Sequence, residues 1–323
     1  MKRKELFTIP SKIGLFILLI VLGLIITSCG KDEEMMEEPI NPTGNEKSYI
    51  LNSVAVPGIS GVATFIELDD NSTEITLQLT GTPDGGNHPA HIHMNSAAEG
   101  GGILLSLSPV DGSSGTSTTV ANSLDDGTPM SYQDFLDMDG YINVHLSADE
   151  LTTIVAQADI GQNELTGTSI EYTLEERAVA GISGTATFSE RKNGEALATL
   201  MLTGTPDGGE HPAHIHINTA AEGGGIAFSF TPVNGTTGMS RTNVSMLDDG
   251  TAFAYSDIAN FDGYINVHLS ADNLGTIVAQ GDIGQNELTG TSIEYTLEER
   301  AVAGISGTAT FSERKNGEAL ATL

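Results

Sequence analysis

One period governs this chain. Residues 159–200 and 282–323 are identical at all 42 positions, 123 residues apart. The same offset carries Gly58-Ile-Ser-Gly61 to Gly181-Ile-Ser-Gly184, and then to Gly304-Ile-Ser-Gly307. A repeat of that length is a whole domain with its own core, not one turn of a solenoid. The chain must therefore fold as tandem modules. We place the first at 48–167, the second at 168–290, and at 291–323 the truncated start of a third that stops before its histidines. We expect the sequence to be a piece of a longer array, or a gene cut short.

Each module reads as strands. Residues 49–56 and 61–68 are rich in β-branched and aromatic side chains and flank the turn pair Pro57-Gly58. Residues 74–79 alternate, with Ile75, Leu77 and Leu79 on one face. Further strands are expected at 89–95, 103–108, 115–121, 140–146 and 153–159, about eight in all. Two short helical turns are expected, one over 131–138 and one opened by the capping-box sequence Ser147-Ala-Asp-Glu150. In the second copy the box becomes Ser270-Ala-Asp-Asn273, so that turn should be brief. Short, evenly spaced strands predict an all-β chain of tandem antiparallel β-sandwich or barrel modules, Greek-key-like in connection.

All eight histidines belong to one pattern used twice. The first copy reads His88-Pro-Ala-His91-Ile-His93, followed by Tyr141-Ile-Asn-Val-His145; the second reads His211-Pro-Ala-His214-Ile-His216, followed by Tyr264-Ile-Asn-Val-His268. Strand alternation puts Ala90, Ile92 and Met94 on one face and His91, His93 and Asn95 on the other. It likewise separates Ile142, Val144 and Leu146 from Tyr141, Asn143 and His145. If the two strands are neighbours, three imidazoles meet on the outer side of the sheet, with His88 a turn away. Three imidazoles suit Zn²⁺ or Cu²⁺ and leave a fourth position for His88, water or a ligand. The competing expectation is that the rings hydrogen-bond loop backbones and pin residues 96–102 and 122–139.

These motifs resemble the CHRD (chordin-type) domain family, which usually has an Ala-His-Ile-His strand and a later Tyr-Val-Asn-Val-His strand. The opening Val56-Pro-Gly and Gly61-Val-Ala-Thr-Phe65 are also similar. The resemblance covers about 48–167 and 171–290, and the opening strands of the third copy. It departs at Met94-Asn-Ser-Ala-Ala-Glu-Gly-Gly-Gly102, where the family has Gly-Pro, and at Thr153-Ile-Val-Ala-Gln-Ala158, which lacks the family's arginine. The resemblance implies a β-rich extracellular or cell-surface module and assigns no chemistry.

The first residues speak to location. A basic start (Lys2, Arg3, Lys4, Lys12) precedes an apolar run of 14 residues, Ile13 to Ile26. That length suits a secretory signal and is short for a membrane span. Ile26-Thr-Ser-Cys29 resembles the lipobox of bacterial lipoproteins, and Cys29 is the only cysteine. We expect a signal peptide over 1–28, lipidation of Cys29 as the membrane attachment, and an acidic tether over 29–47. Lys31-Asp-Glu just behind the cysteine resembles an export tag, which predicts an outer-membrane lipoprotein facing the cell exterior.

Charge excludes partners. The whole chain carries 13 Lys+Arg against 43 Asp+Glu. Removing 1–28 leaves 9 against 42, a net charge of −33. Such a surface repels phosphate backbones, so no nucleic-acid partner is expected. The acidic turns Leu124-Asp-Asp-Gly127 and Leu247-Asp-Asp-Gly250 lack calcium-loop spacing and read as tight turns. Glu99-Gly-Gly-Gly102 has neither the helix nor the lysine of a phosphate cradle. No nucleophile motif stands out, so no enzyme is expected. Two functions follow: a non-catalytic surface lipoprotein that binds an extracellular protein or glycan, or a zinc- or copper-binding protein that uses the repeated histidines.

Overall fold

The structure, a computed structural model, describes residues 39–323. The expected signal peptide, Cys29 and the first part of the acidic tether lie outside the described residues. Among the described residues no helix is long and apolar enough to cross a membrane.

The first module is a closed eight-stranded antiparallel barrel. Its strands are β1 (Pro42–Ser53), β2 (Ser60–Leu68), β3 (Thr73–Thr80), β4 (Asn87–Met94), β5 (Ile103–Asp111), β6 (Thr116–Ala121), β7 (Asp139–His145) and β8 (Ile154–Gly161). They run in the order β1-β2-β3-β6-β5-β4-β7-β8, and β1 meets β8 at Asn52–Gln157 and Ser53–Ala156. β7 returns beside β4, the first strand of the β4-β5-β6 meander, which is a Greek key. The expected choice between sandwich and barrel thus falls on the barrel, and closure removes the exposed sheet edges a sandwich would leave.

Alternation builds the core. Ile75, Leu77 and Leu79 of β3 point inward with Ala90 and Ile92 of β4 and Ile142 and Val144 of β7. Helix α1 (Tyr132–Asp137) is capped by Ser131, whose hydroxyl accepts from the Asp134 backbone while Asp134 receives the Ser131 amide. The helix delivers Phe135 to Phe65, their ring centres 5.7 Å apart. The repeated Gly-Ile-Ser-Gly motif has a steric cause. Gly58 has φ +92°, and a Cβ on Gly61 would stand 1.9 Å from the Gln78 carbonyl oxygen across the β2–β3 ladder.

The second module repeats this plan with two interruptions. Its strands are β9 (Leu165–Glu176), β10 (Ser183–Arg191), β11 (Ala196–Thr203), β12 (Glu210–His211), β13 (Ala213–Ile217), β14 (Ile226–Ser229), β15 (Val233–Asn234), β16 (Met239–Val244), β17 (Asp262–Ser270) and β18 (Asn273–Gly284), with helix α2 (Tyr255–Ile258) before β17. The counterpart of β4 is divided at Pro212 into β12 and β13, and that of β5 is divided over residues 230–232 into β14 and β15, although the equivalent Pro89 and Pro109 lie within unbroken β4 and β5. The halves still pair, His211 with Val233 and Ile215 with Phe228, so the ten-stranded sheet curls around its own core. Residues of the third copy form a three-stranded sheet, β19 (Leu288–Leu297), β20 (Gly307–Arg314) and β21 (Ala319–Thr322), with Ile305 and Phe311 exposed.

Three expectations need correction. Residues 42–47, read as tether, belong to β1, and the first strands of the second and third copies begin at Leu165 and Leu288 rather than at 168 and 291. Pro42-Thr-Gly-Asn-Glu-Lys47 is exposed almost throughout, so it lacks apolar alternation. Hydrogen bonds hold it instead: Thr43 and Asn45 both donate to Glu67, each at 2.7 Å. Ser147-Ala-Asp-Glu150 starts no helix. The Leu146 amide donates to the Thr153 carbonyl at 2.9 Å, which closes the β7–β8 connection as a hairpin and leaves room only for turns.

Candidate metal centre

β4 and β7 are neighbours, paired antiparallel with His91 opposite Asn143 and His93 opposite Tyr141. The inward faces of both strands are apolar, so the imidazoles are forced to the other face. There His91, His93 and His145 converge: each offers a ring nitrogen within 4.8 Å of the other two. His214, His216 and His268 do the same in the second module. Among the described residues these two triads are the clusters that could hold a metal ion, and each contributes three nitrogen donors.

The hydrogen bonds fix the tautomers. A backbone carbonyl can only accept, so His93 Nδ1 donates to Gly101 O at 3.0 Å and His145 Nδ1 donates to Leu151 O at 2.5 Å. That leaves the Nε2 lone pairs of both rings free to accept. His145 Nε2 receives His91 Nδ1 at 3.0 Å, while His93 Nε2 is buried with no hydrogen-bond partner. Carbonyls that orient the outer nitrogens of ligating histidines are the usual outer support of metal sites. Tetrahedral ligands at the usual zinc–nitrogen distance stand roughly 3.3 Å apart, so the 3.0 Å pair is already near that spacing. The second module repeats every contact: His216 to Gly224 O at 3.0 Å, His268 to Leu274 O at 2.6 Å, and His214 to His268 at 3.1 Å.

His88 and His211, grouped with the others from sequence, stand outside the triads. His88 Nδ1 donates to the His145 carbonyl at 3.2 Å, and His211 does the same to His268 at 3.3 Å. His88 shares the spacing of Ala90 and Ile92 rather than that of His91 and His93, and it is buried. His88 therefore braces the main chain of a triad strand.

The face is not open to solvent as the alternation suggests. Residues 95–101 fold over it. Asn95 takes a left-handed φ of +66°, which asparagine tolerates, and Ser96 donates its amide and hydroxyl to Glu99 at 3.0 and 2.6 Å. Tyr141 stacks on His93 with ring centres 4.9 Å apart and planes 15° off parallel. Gln157 donates to Asn143 at 2.8 Å, fixing the side chain opposite His91. The rings pin residues 95–101 and 146–153, and no histidine bond reaches 122–139 among the described contacts. The Asp125 carboxylate is spent on the Ser106 amide and hydroxyl, the latter at 2.8 Å, and Asp126 closes its own turn on Thr128.

Burial lowers the pKa of His91, and the neighbouring His145 and His93 lower it further, against the weaker opposite pull of Asp125. Burial also lowers His145, opposed by its bond to Leu151 and assisted by His93. His214 and His268 are lowered for the same reasons. His91, His145, His214 and His268 thus stay neutral to a pH below the ordinary imidazole value of 6.5. Because the unfolded chain takes up protons first, acid favours unfolding. Metal-free protein should keep its melting temperature above pH 6.5 and lose it progressively as pH falls through the lowered folded values. The double variant His91→Gln/His214→Gln should show a flatter slope across that window. A melting temperature that rises on acidification from pH 7 to 5 would contradict the burial argument.

Comparison with known proteins found no family model, no curated protein and no solved structure that matches the chain.

Proposed function

We propose that the protein is a lipid-anchored surface protein of tandem CHRD-type modules, each of which binds one transition-metal ion, Zn²⁺ or Cu²⁺, through its histidine triad. The convergence of three imidazoles from β4 and β7, with the buried Nε2 of His93 left without a partner, carries this reading. It favours metal binding over the plain adhesion module as the working function. An all-nitrogen, three-donor set accepts either ion, and at equal supply copper should outcompete zinc. His91 now offers its Nδ1 proton to His145; coordination through that nitrogen requires only a change of tautomer. The Asp125 carboxylate is occupied by Ser106 and is not poised as a general base, so we infer binding rather than turnover.

Purified chain loaded with Zn²⁺ and desalted should retain about one ion per triad, two in all, by elemental analysis. Less than about a tenth of an equivalent per module would overturn the reading. The anchor has a separate check. Cells given labelled palmitate should incorporate label into the wild-type chain and not into Cys29→Ala, and label in the variant would place lipidation elsewhere.

A further inference from the structure

The triads have a second set of supports, and these come from the following module. Arg191 of β10 is fully buried. Its Nη1 donates to Asp159 Oδ2 at 2.8 Å and to the Asn163 carbonyl at 2.6 Å, while its Nε donates to Asn243 of its own module at 2.9 Å. Asp159 lies on β8 of the first barrel, and Asn163 lies in the short connection to β9. Both acceptors continue into the loop that covers the first triad. Asp159 Oδ1 accepts from the Ala97 amide at 2.7 Å, and the Asn163 side chain donates to the Asn95 carbonyl at 2.8 Å. That loop ends at Gly101, whose carbonyl holds His93.

The same joint recurs one period later. Arg314 of β20 donates to Asp282 at 2.6 Å and to the Asn286 carbonyl at 2.5 Å. Asp282 accepts from the Ala220 amide at 2.8 Å, and Asn286 donates to the Asn218 carbonyl at 2.9 Å. Both halves of each joint fall within the 42 identical positions, so the identical stretch straddles the junction rather than a single module. The first module supplies the contrast. At the place of Arg191, 123 residues earlier, stands Leu68.

We propose that each module's metal-site loop is set by the arginine of the next: Arg191 is a positioning residue for the first triad, and Arg314 for the second. This rests on the metal reading for its affinity arm only. The test uses the full chain and two variants, Arg191→Leu, which installs the residue of the first module, and Arg314→Leu. In metal-free protein, Arg191→Leu should speed hydrogen exchange at Ala97 by about tenfold or more while Ala220 is unchanged, and Arg314→Leu should do the reverse. With Zn²⁺ and a competing chelator, each variant should weaken only the preceding triad, by about tenfold, as loss of outer support does elsewhere. Should Arg191→Leu fail to fold, Arg191→Gln reads the same amide with a smaller effect. Wild-type exchange at Ala97 in the folded variant, or equal loosening of both loops by either variant, would overturn the joint. A wild-type chain that takes up no metal would sink the metal reading alone, and the exchange arm would then decide the joint by itself.

Discussion

His91→Ala/His93→Ala should remove one of two metal equivalents and leave the other. Two of three nitrogens are lost from the first triad, and one imidazole alone holds zinc weakly, whereas His214, His216 and His268 belong to a separate module with its own core. Elemental analysis after loading should read about one ion per chain, and the His214→Ala/His216→Ala variant should read the same. The quadruple variant should read near zero. Two equivalents retained in either double variant would place the ions elsewhere. The variants also separate metal binding from structural bracing. His93 pins Gly101 with or without metal, so some loss of metal-free stability is expected, on the scale of one side-chain hydrogen bond, about 1 kcal/mol.

Phe65→Ala should be the most damaging single truncation in the first barrel. Phe65 is fully buried, edge-on to Tyr49 at 5.5 Å and tilted against Phe135 at 5.7 Å, so it ties β1, β2 and helix α1 together. Such truncations cost about 3–5 kcal/mol, because the cavity cannot collapse when three elements meet around it. Denaturant unfolding followed by hydrogen exchange should show this loss in residues 42–161, with the second core nearly intact. A loss below about 1 kcal/mol would mean that Phe65 does not anchor the barrel.

Much of this site was legible in the sequence, for a definite reason. Ala90, Ile92, Ile142 and Val144 are apolar at every second position, so the only face left for His91, His93 and His145 is the opposite one. The 123-residue offset likewise dictated that the second triad would copy the first. The remainder depended on contacts that no local pattern encodes. Barrel closure is set by the β1–β8 pairing, more than a hundred residues apart in sequence. His88 stands three residues before His91, out of phase with it, and its ring braces the His145 carbonyl instead of joining the cluster. The closing of residues 95–101 over the triad depends on Asp159 and Asn163, 62 and 68 residues from their loop partners. Polar Pro42–Lys47 concealed half of β1, since its hold comes from Glu67 rather than from apolar burial. The Arg191 joint did leave a trace: an arginine twice at one repeat position where the first copy carries Leu68.

X-ray absorption at the zinc edge of the loaded full chain asks the central question most directly. Three imidazole nitrogens per ion at about 2.0–2.1 Å, with one further light atom, are expected from strands β4 and β7 sharing one face. A first shell of oxygens, with no imidazole scattering beyond it, would contradict the convergence of His91, His93 and His145 on one ion.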